Sequence, residues 1–273
     1  MQGRALDVIK EAVLALAALI LLLPPEPIAA VAAADPPDRS SLAAVPPELV
    51  DVAEVAPGIA IDMRYAGAQN FVGRPIHGYA AARCLLSRPA ARALALVASD
   101  LAARGLGLRV YDCFRPQRAV DDFVAWAHDV SRDEADETIR ARHYPAVPRA
   151  ELFRRGYIAE RSGHTRGSTV DLTLFTLSSG AATGGAVVEP DDCRVDDGAG
   201  AGDGSLDMGT SFDCFDERAH TEHAGISRLA RQHRRWLREA MGRRGFAPYV
   251  KEWWHFTLAA EPFPHRYFDF EIR

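Results

Sequence analysis

Apolar positions along the chain fall into blocks with three different rhythms. The first is an unbroken run from Ala12 to Leu23, preceded by Arg4 and Lys10 and stopped by Pro24-Pro25. It is shorter than the roughly 20 residues that a bilayer-spanning helix needs. With the small residues Ala32-Ala33-Ala34 ahead of Asp35, it predicts a secretory signal over 1–34 that is removed, leaving no stable membrane span. Asp7 and Glu11, just ahead of the run, are unusual for such a signal, and an uncleaved anchor or a wrongly assigned start are the alternatives. Residues 35–48, rich in Pro, Ala, Asp and Ser, read as a linker, and a folded domain is expected over 49–273.

Within that domain the second rhythm is helical. Ser87 and Pro89 precede an alanine-leucine run that ends at Arg104-Gly105, the pattern of a capped helix with a glycine stop. Pro116 opens a second helix with Val120, Phe123, Val124 and Ala127 on one face. Ile226, Leu229, Ala230, His233, Leu237 and Met241 mark a third, ending near Gly245, whose other face carries Arg228, Arg231, Arg234, Arg235 and Arg238 as a solvated basic stripe. The third rhythm is that of strands. Leu108–Asp112 is a short one, Ser168–Leu174 alternates Thr169, Asp171 and Thr173 against Val170, Leu172 and Leu174, and Glu252–Leu258 is aromatic-rich. Residues 178–205, mostly Gly, Ala, Asp and Ser, lack the apolar positions for a core and read as a long loop or insertion. The expected class is α+β, a central antiparallel sheet with flanking helices.

Charge narrows the function. The formal net charge of −5 argues against a general nucleic-acid binder, leaving a small or peptide-like partner as the default. Four cysteines, Cys84, Cys113, Cys193 and Cys214, form an even set in a chain that carries an export signal, where disulfides persist. Three pairings are possible. Cys84 with Cys113 and Cys193 with Cys214 is the preferred one, the first tying the segment before a helix to the strand after it, the second closing the glycine-rich excursion; four reduced buried thiols are the alternative. Cys-x-x-Cys spacing is missing, so sulfur is a poor metal donor here.

Nitrogen and oxygen are better donors. His164 and Asp171 stand either side of a glycine-containing turn, and His255 follows far away in Glu252-Trp253-Trp254-His255. Three such ligands with an open water position are usual for catalytic zinc. Three stretches carry a resemblance: Tyr111-Asp112-Cys113-Phe114-Arg115-Pro116-Gln117-Arg118-Ala119-Val120, the segment from Ser162 to Leu174, and Glu252 to His255. Asp62-Met63-Arg64-Tyr65 and Met208-Gly209-Thr210-Ser211-Phe212-Asp213, leading into Asp216-Glu217-Arg218-Ala219-His220, extend it over nearly all of 51–273. In this order they resemble the motifs of the D-Ala-D-Ala dipeptidases, within the wider group of zinc D,D-peptidases.

The resemblance implies a zinc D,D-peptidase (hedgehog-like) fold, with one Zn2+ held by His164, Asp171 and His255. It implies Glu252 as general base and then general acid, and Arg115 facing the scissile carbonyl. Asp213 with Tyr65 would receive the free ammonium of a dipeptide, and Ser162 would bond the substrate near that end. Asp112, counted with the substrate-binding set, would orient Arg115 or a neighbouring group. Trp253 and Trp254 read as packing residues. His220 and His223, three apart, lack a third ligand for a second metal site, and His220 is better assigned to the fold or a pocket wall. The expected activity is hydrolysis of a small D,D-dipeptide by an exported, periplasmic or secreted enzyme. A zinc D,D-carboxypeptidase acting on peptidoglycan stem peptides and a non-catalytic cell-wall-binding module are the competing readings.

Overall fold

The computed structural model of the chain describes residues 46, 48–129, 137–179, 190–194 and 202–273. The expected leader, most of the linker and much of the expected insertion lie outside these residues.

In chain order the elements are β1 (Leu49–Asp51), α1 (Val52–Val55), β2 (Ala60–Ile61), β3 (Leu85–Ser87), α2 (Arg88–Ala102), β4 (Leu106–Asp112), α3 (Gln117–His128), α4 (Glu137–His143), α5 (Leu152–Arg155), β5 (Thr169–Thr176), α6 (Arg228–Arg243), β6 (Phe246–Tyr249) and β7 (Glu252–Leu258). A five-stranded sheet runs β2-β4-β5-β7-β6, and β1 pairs with β3 in a separate two-stranded ribbon. The central sheet is antiparallel as expected, and the one parallel pairing is at its edge, where the two-residue β2 joins β4. A two-residue strand carries no periodicity for a sequence reading to catch.

The periodic segments fold as their rhythms predict. Ser87 caps α2 through its hydroxyl, which accepts from Ala90 N, and Gly105 lies three residues past the helix end at φ +74°. Pro116 is the cap of α3, with the helix proper starting at Gln117. The inner face of β5, Val170, Leu172 and Leu174, is fully buried. The pair α2 and α6 covers the sheet: α2 packs on β4 and α6, and α6 on β5 and β6.

Helix α6 departs from expectation at two positions. Leu229, assigned to the apolar face, is about half exposed (48%), and Arg234, assigned to the solvated stripe, is buried (3%). Arg234 donates to the carbonyls of Met208, Arg218 and His220, so its guanidinium closes off backbone acceptors of the 208–220 loop. Those carbonyls belong to a segment that a helical wheel does not contain. Of the remaining stripe, Arg238 pairs with Glu222 and Arg231 caps the carbonyls of Ala224 and Ile226.

Both disulfides take the preferred pairing, Cys84 with Cys113 and Cys193 with Cys214.

Candidate active site

The sheet register sets the site. On the central strand β5, Asp171 stands opposite Asp112 of β4 on one side and His255 of β7 on the other. The β4 ladder advances two residues, Val110 to Asp112, while β5 advances one, a bulge at Tyr111 that carries Asp112 to the level of Asp171. A second irregularity, between Pro248 and Tyr249, lies opposite the start of β7. Strict alternation would place Glu252 and His255 on opposite faces. Instead Glu252 Oε2 is 3.5 Å from His255 Nδ1.

His164 arrives by a different route. Ser162 caps a single 3-10 turn, Gly163–Arg166, by accepting from His164 N, and Gly167 reverses the chain into β5 at φ +76°. A Cβ at Gly167 would lie 2.6 Å from Leu49 Cδ2, the movable end of a side chain, so the requirement for glycine comes from the backbone. Nδ1 of His164 donates to the Cys113 carbonyl at 2.7 Å, which leaves Nε2 with its lone pair free. That Nε2 lies 3.2 Å from Asp171 Oδ2 and 3.3 Å from His255 Nδ1, and His255 Nδ1 lies 3.1 Å from Asp171 Oδ1.

These residues fit a metal ion. Among the described residues, His164, Asp171 and His255 are the group whose donor atoms converge, all within 4.8 Å of one another. Tetrahedral ligands with bonds of 2.0–2.1 Å stand about 3.3 Å apart, the spacing seen between the two ring nitrogens. Asp171 Oδ1 is buried and has no hydrogen bond of accepted geometry, a costly state for a carboxylate unless a cation takes it. Burial would raise the Asp171 carboxyl, but His164 and His255 beside it prevail and hold it well below the usual range. Charge at the site points the same way: Asp112, Asp171, Asp213 and Glu252 are all buried, and among the residues lining the cavity only Arg115 and Arg161 carry a guanidinium, of which Arg115 pairs with Asp112.

Around this trio lies a cavity of about 260 Å3, lined by Tyr65, Arg115, Ser162, Asp171, Asp213, Glu252 and His255. It is just below the usual range for drug-sized ligands, roughly 300–1,000 Å3, and suits a small peptide. Burial pushes the Glu252 carboxyl well up; Asp171 and Asp213 add to the rise, and Arg115 opposes it. Arg115 donates through Nε to Asp112 Oδ2 at 2.9 Å, with Nη2 2.8 Å from the same oxygen and 3.7 Å from Asp171 Oδ2. Its guanidinium also lies over the rings of Tyr65 and Phe123, 5.0 and 5.1 Å from their centroids. Asp112 is fully buried, takes a second bond from Tyr79 OH at 2.6 Å, and does not line the cavity; its contacts are those of a group that orients Arg115. Asp213 accepts from Tyr65 OH at 2.8 Å, and burial, reinforced by Asp171, raises its carboxyl.

All nine residues singled out from the sequence are therefore gathered at or behind one cavity. The sequence reading missed the aromatic wall: Phe71, Phe123, Tyr157, Phe215 and Tyr249 line it, and Trp254, read as packing alone, does too. They come from separate loops, from β6 and β7 and, for Phe123, from α3, and only Phe123 sat in a recognised periodic pattern. Tyr79 was missed as well, although a buried tyrosine needs a hydroxyl partner. His220 stands against the outer wall, its Nε2 3.3 Å from Tyr157 OH.

Two imidazoles and a carboxylate ready for a cation, a second carboxylate alongside, and a guanidinium beyond them define a metal-dependent peptidase site. Comparison with known proteins narrows the class. The profile of the peptidase family described as D-ala-D-ala dipeptidase matches residues 46–186 and 197–273. A D-alanyl-D-alanine dipeptidase of Streptomyces coelicolor is 40% identical over 221 residues, covering 81% of this chain and 96% of the relative. Its namesake in Enterococcus faecalis is 37% identical over 219 residues (80% and 95%), and that of Escherichia coli 32% over 214 (77% and 84%). The chain belongs to the D-Ala-D-Ala dipeptidase family.

Proposed function

We propose that the chain is an exported zinc enzyme that hydrolyses D-Ala-D-Ala to two molecules of D-alanine. The observation that carries this reading is the Tyr65–Asp213 pair, buried in the same small cavity as His255, Asp171 and Glu252. A buried carboxylate on the wall of so small a cavity accepts a free ammonium, and an N-acylated chain has no charge to offer it, so it selects the free dipeptide. Relatives that share the name D-alanyl-D-alanine dipeptidase support the same substrate. Export is supported by the leader pattern and by two disulfides, which persist in oxidising compartments.

His164, Asp171 and His255 would hold the ion, a mixture of nitrogen and oxygen donors that suits zinc. When bound, zinc supplies a water acidified to a pKa of about 7 and a Lewis acid for the carbonyl oxygen. Glu252 takes the proton of the attacking water and returns it to the leaving amine, and its raised affinity for a proton matches both tasks. Arg115, held by Asp112, donates to the carbonyl oxygen as charge grows there and cannot lose its own. Asp213, bonded by Tyr65, binds the substrate ammonium, and Ser162 lines the same cavity while its hydroxyl fixes the His164 turn. Outside the inner membrane the dipeptide would come from cell-wall material.

The test is metal analysis of the purified protein with turnover of D-Ala-D-Ala and of an N-acylated D,D-tripeptide, repeated with Glu252→Ala. Expected are one zinc per chain, preference for the free dipeptide, and loss of turnover in the variant with zinc retained. Preference for the acylated peptide would identify a carboxypeptidase. Zinc-loaded protein inert on every D,D-peptide would identify a wall-binding module.

A further inference from the structure

Asp213 is the one non-glycine residue with positive φ (+56°) among the described residues. Aspartate tolerates the left-handed region better than most residues, yet such a conformation persists only where its surroundings over-determine it. The surroundings here are specific. Cys214 is bonded to Cys193, Ser211 N donates to Cys193 O at 2.9 Å, and Cys193 N donates to Ala141 O of α4 at 3.2 Å. At the end of α4, Phe215 N donates to His143 O at 2.6 Å, and His143 Nδ1 lies 3.3 Å from Asp213 O. Residues 211–215 are thus pinned on either side of Asp213 and at its own carbonyl, while Tyr65 fixes the far end of its side chain. None of Cys193, Cys214 and His143 lines the cavity. Burial also holds the His143 imidazole neutral near pH 7, with its pKa lowered to about 4, so a single ring N–H is available for the carbonyl.

We infer that the Cys193–Cys214 disulfide and His143 are positioning groups that hold Asp213 at the amino end of the substrate and thereby set the preference for a free dipeptide over an N-acylated one. The inference rests on the functional reading above. The metal half of the site is independent of this clamp, because His255 and Asp171 are fixed by the β5–β7 ladder and His164 by the Cys113 carbonyl. Releasing the clamp therefore loosens Asp213 without displacing the residues around the ion. Ammonium recognition is lost and the chemistry is kept.

The experiment compares KM and kcat for D-Ala-D-Ala and for N-acetyl-D-Ala-D-Ala, with zinc content, in the wild type, in Cys193→Ser/Cys214→Ser and in His143→Ala. Expected in both variants are a dipeptide KM raised about tenfold or more, kcat within a few-fold, retained zinc, and a free-over-acetylated preference reduced about tenfold. His143→Gln, whose amide can still donate to Asp213 O, is expected to restore most of that preference. If the cysteine variant fails to fold, His143→Ala decides alone, since it leaves the disulfide in place. An unchanged preference in the folded variants, or a fall in kcat with zinc loss, overturns the inference. Wild-type enzyme inactive on the dipeptide overturns the functional reading, and this one with it.

Discussion

Replacing Arg115 by lysine separates position from charge at the centre of the site. Arginine holds Asp112 Oδ2 with two nitrogens, at 2.9 and 2.8 Å, and keeps its flat face over Tyr65 and Phe123. A lysine ammonium supplies the charge from a single nitrogen, without the rigid fork that holds Asp112 with two nitrogens and fixes the direction of the remaining donors. Loss of one donor to a developing oxyanion costs about 2.7–4 kcal/mol, so kcat is expected to fall on the order of 100-fold to 1000-fold. KM should change by no more than about fivefold, because the lost contact strengthens in the transition state. Stability should suffer less. Asp112 keeps the Tyr79 hydroxyl at 2.6 Å, and one weakened charged hydrogen bond is worth about 1.5–3 kcal/mol. Arg115→Ala is the poorer probe, since stranding buried Asp112 costs about 3–5 kcal/mol and mixes unfolding with catalysis. Steady-state kinetics on D-Ala-D-Ala, read beside zinc content and a thermal melt, checks this. A lysine variant within threefold of wild-type kcat, or one defective in KM alone, would refute the placement of Arg115 at the carbonyl.

Two further outcomes are expected. His143 has its folded pKa lowered to about 4 by burial, against about 6.5 unfolded, so the unfolded chain binds the extra proton between those values. Stability should therefore be undiminished above about pH 6.5 and fall by up to about 3 kcal/mol as pH drops to 4. Denaturant unfolding across that window should show a flatter curve for His143→Gln, and equal slopes would refute the assignment. Chelation should abolish turnover and lower the melting temperature, because buried Asp171 Oδ1 and its neighbours lose their cation. Zinc at 100 times its Kd should return about 2.7 kcal/mol of stability to the wild type and far less to His164→Ala. A melting temperature indifferent to zinc would count against the ligand assignment.

The sequence reading fared according to the range of the interactions involved. Capped and periodic segments were legible: α2 behind Ser87, β5 with its alternating faces, and β7 with both ends as expected. Arg234 was misread because the acceptors that bury it lie in the 208–220 loop, outside any pattern on its own helix. The parallel edge strand β2 and the aromatic wall went unseen because each is assembled from short pieces whose neighbours are distant in sequence.

What the chain determined by itself is the chemical inventory and the local geometry. The turn around Gly163 and Gly167, the cap at Ser162 and the strand alternation at Asp171 follow from bonds made within a few residues. What only tertiary structure decided is which of these groups meet. Asp171 faces His255 through cross-strand register; Glu252 lies beside His255 despite the alternation, where the β6 ladder slips; and the Tyr111 bulge brings Asp112 level with Asp171. Local sequence selects a face and a conformation, whereas distances between segments 91 residues apart, as for His164 and His255, are set by how sheet and core pack together.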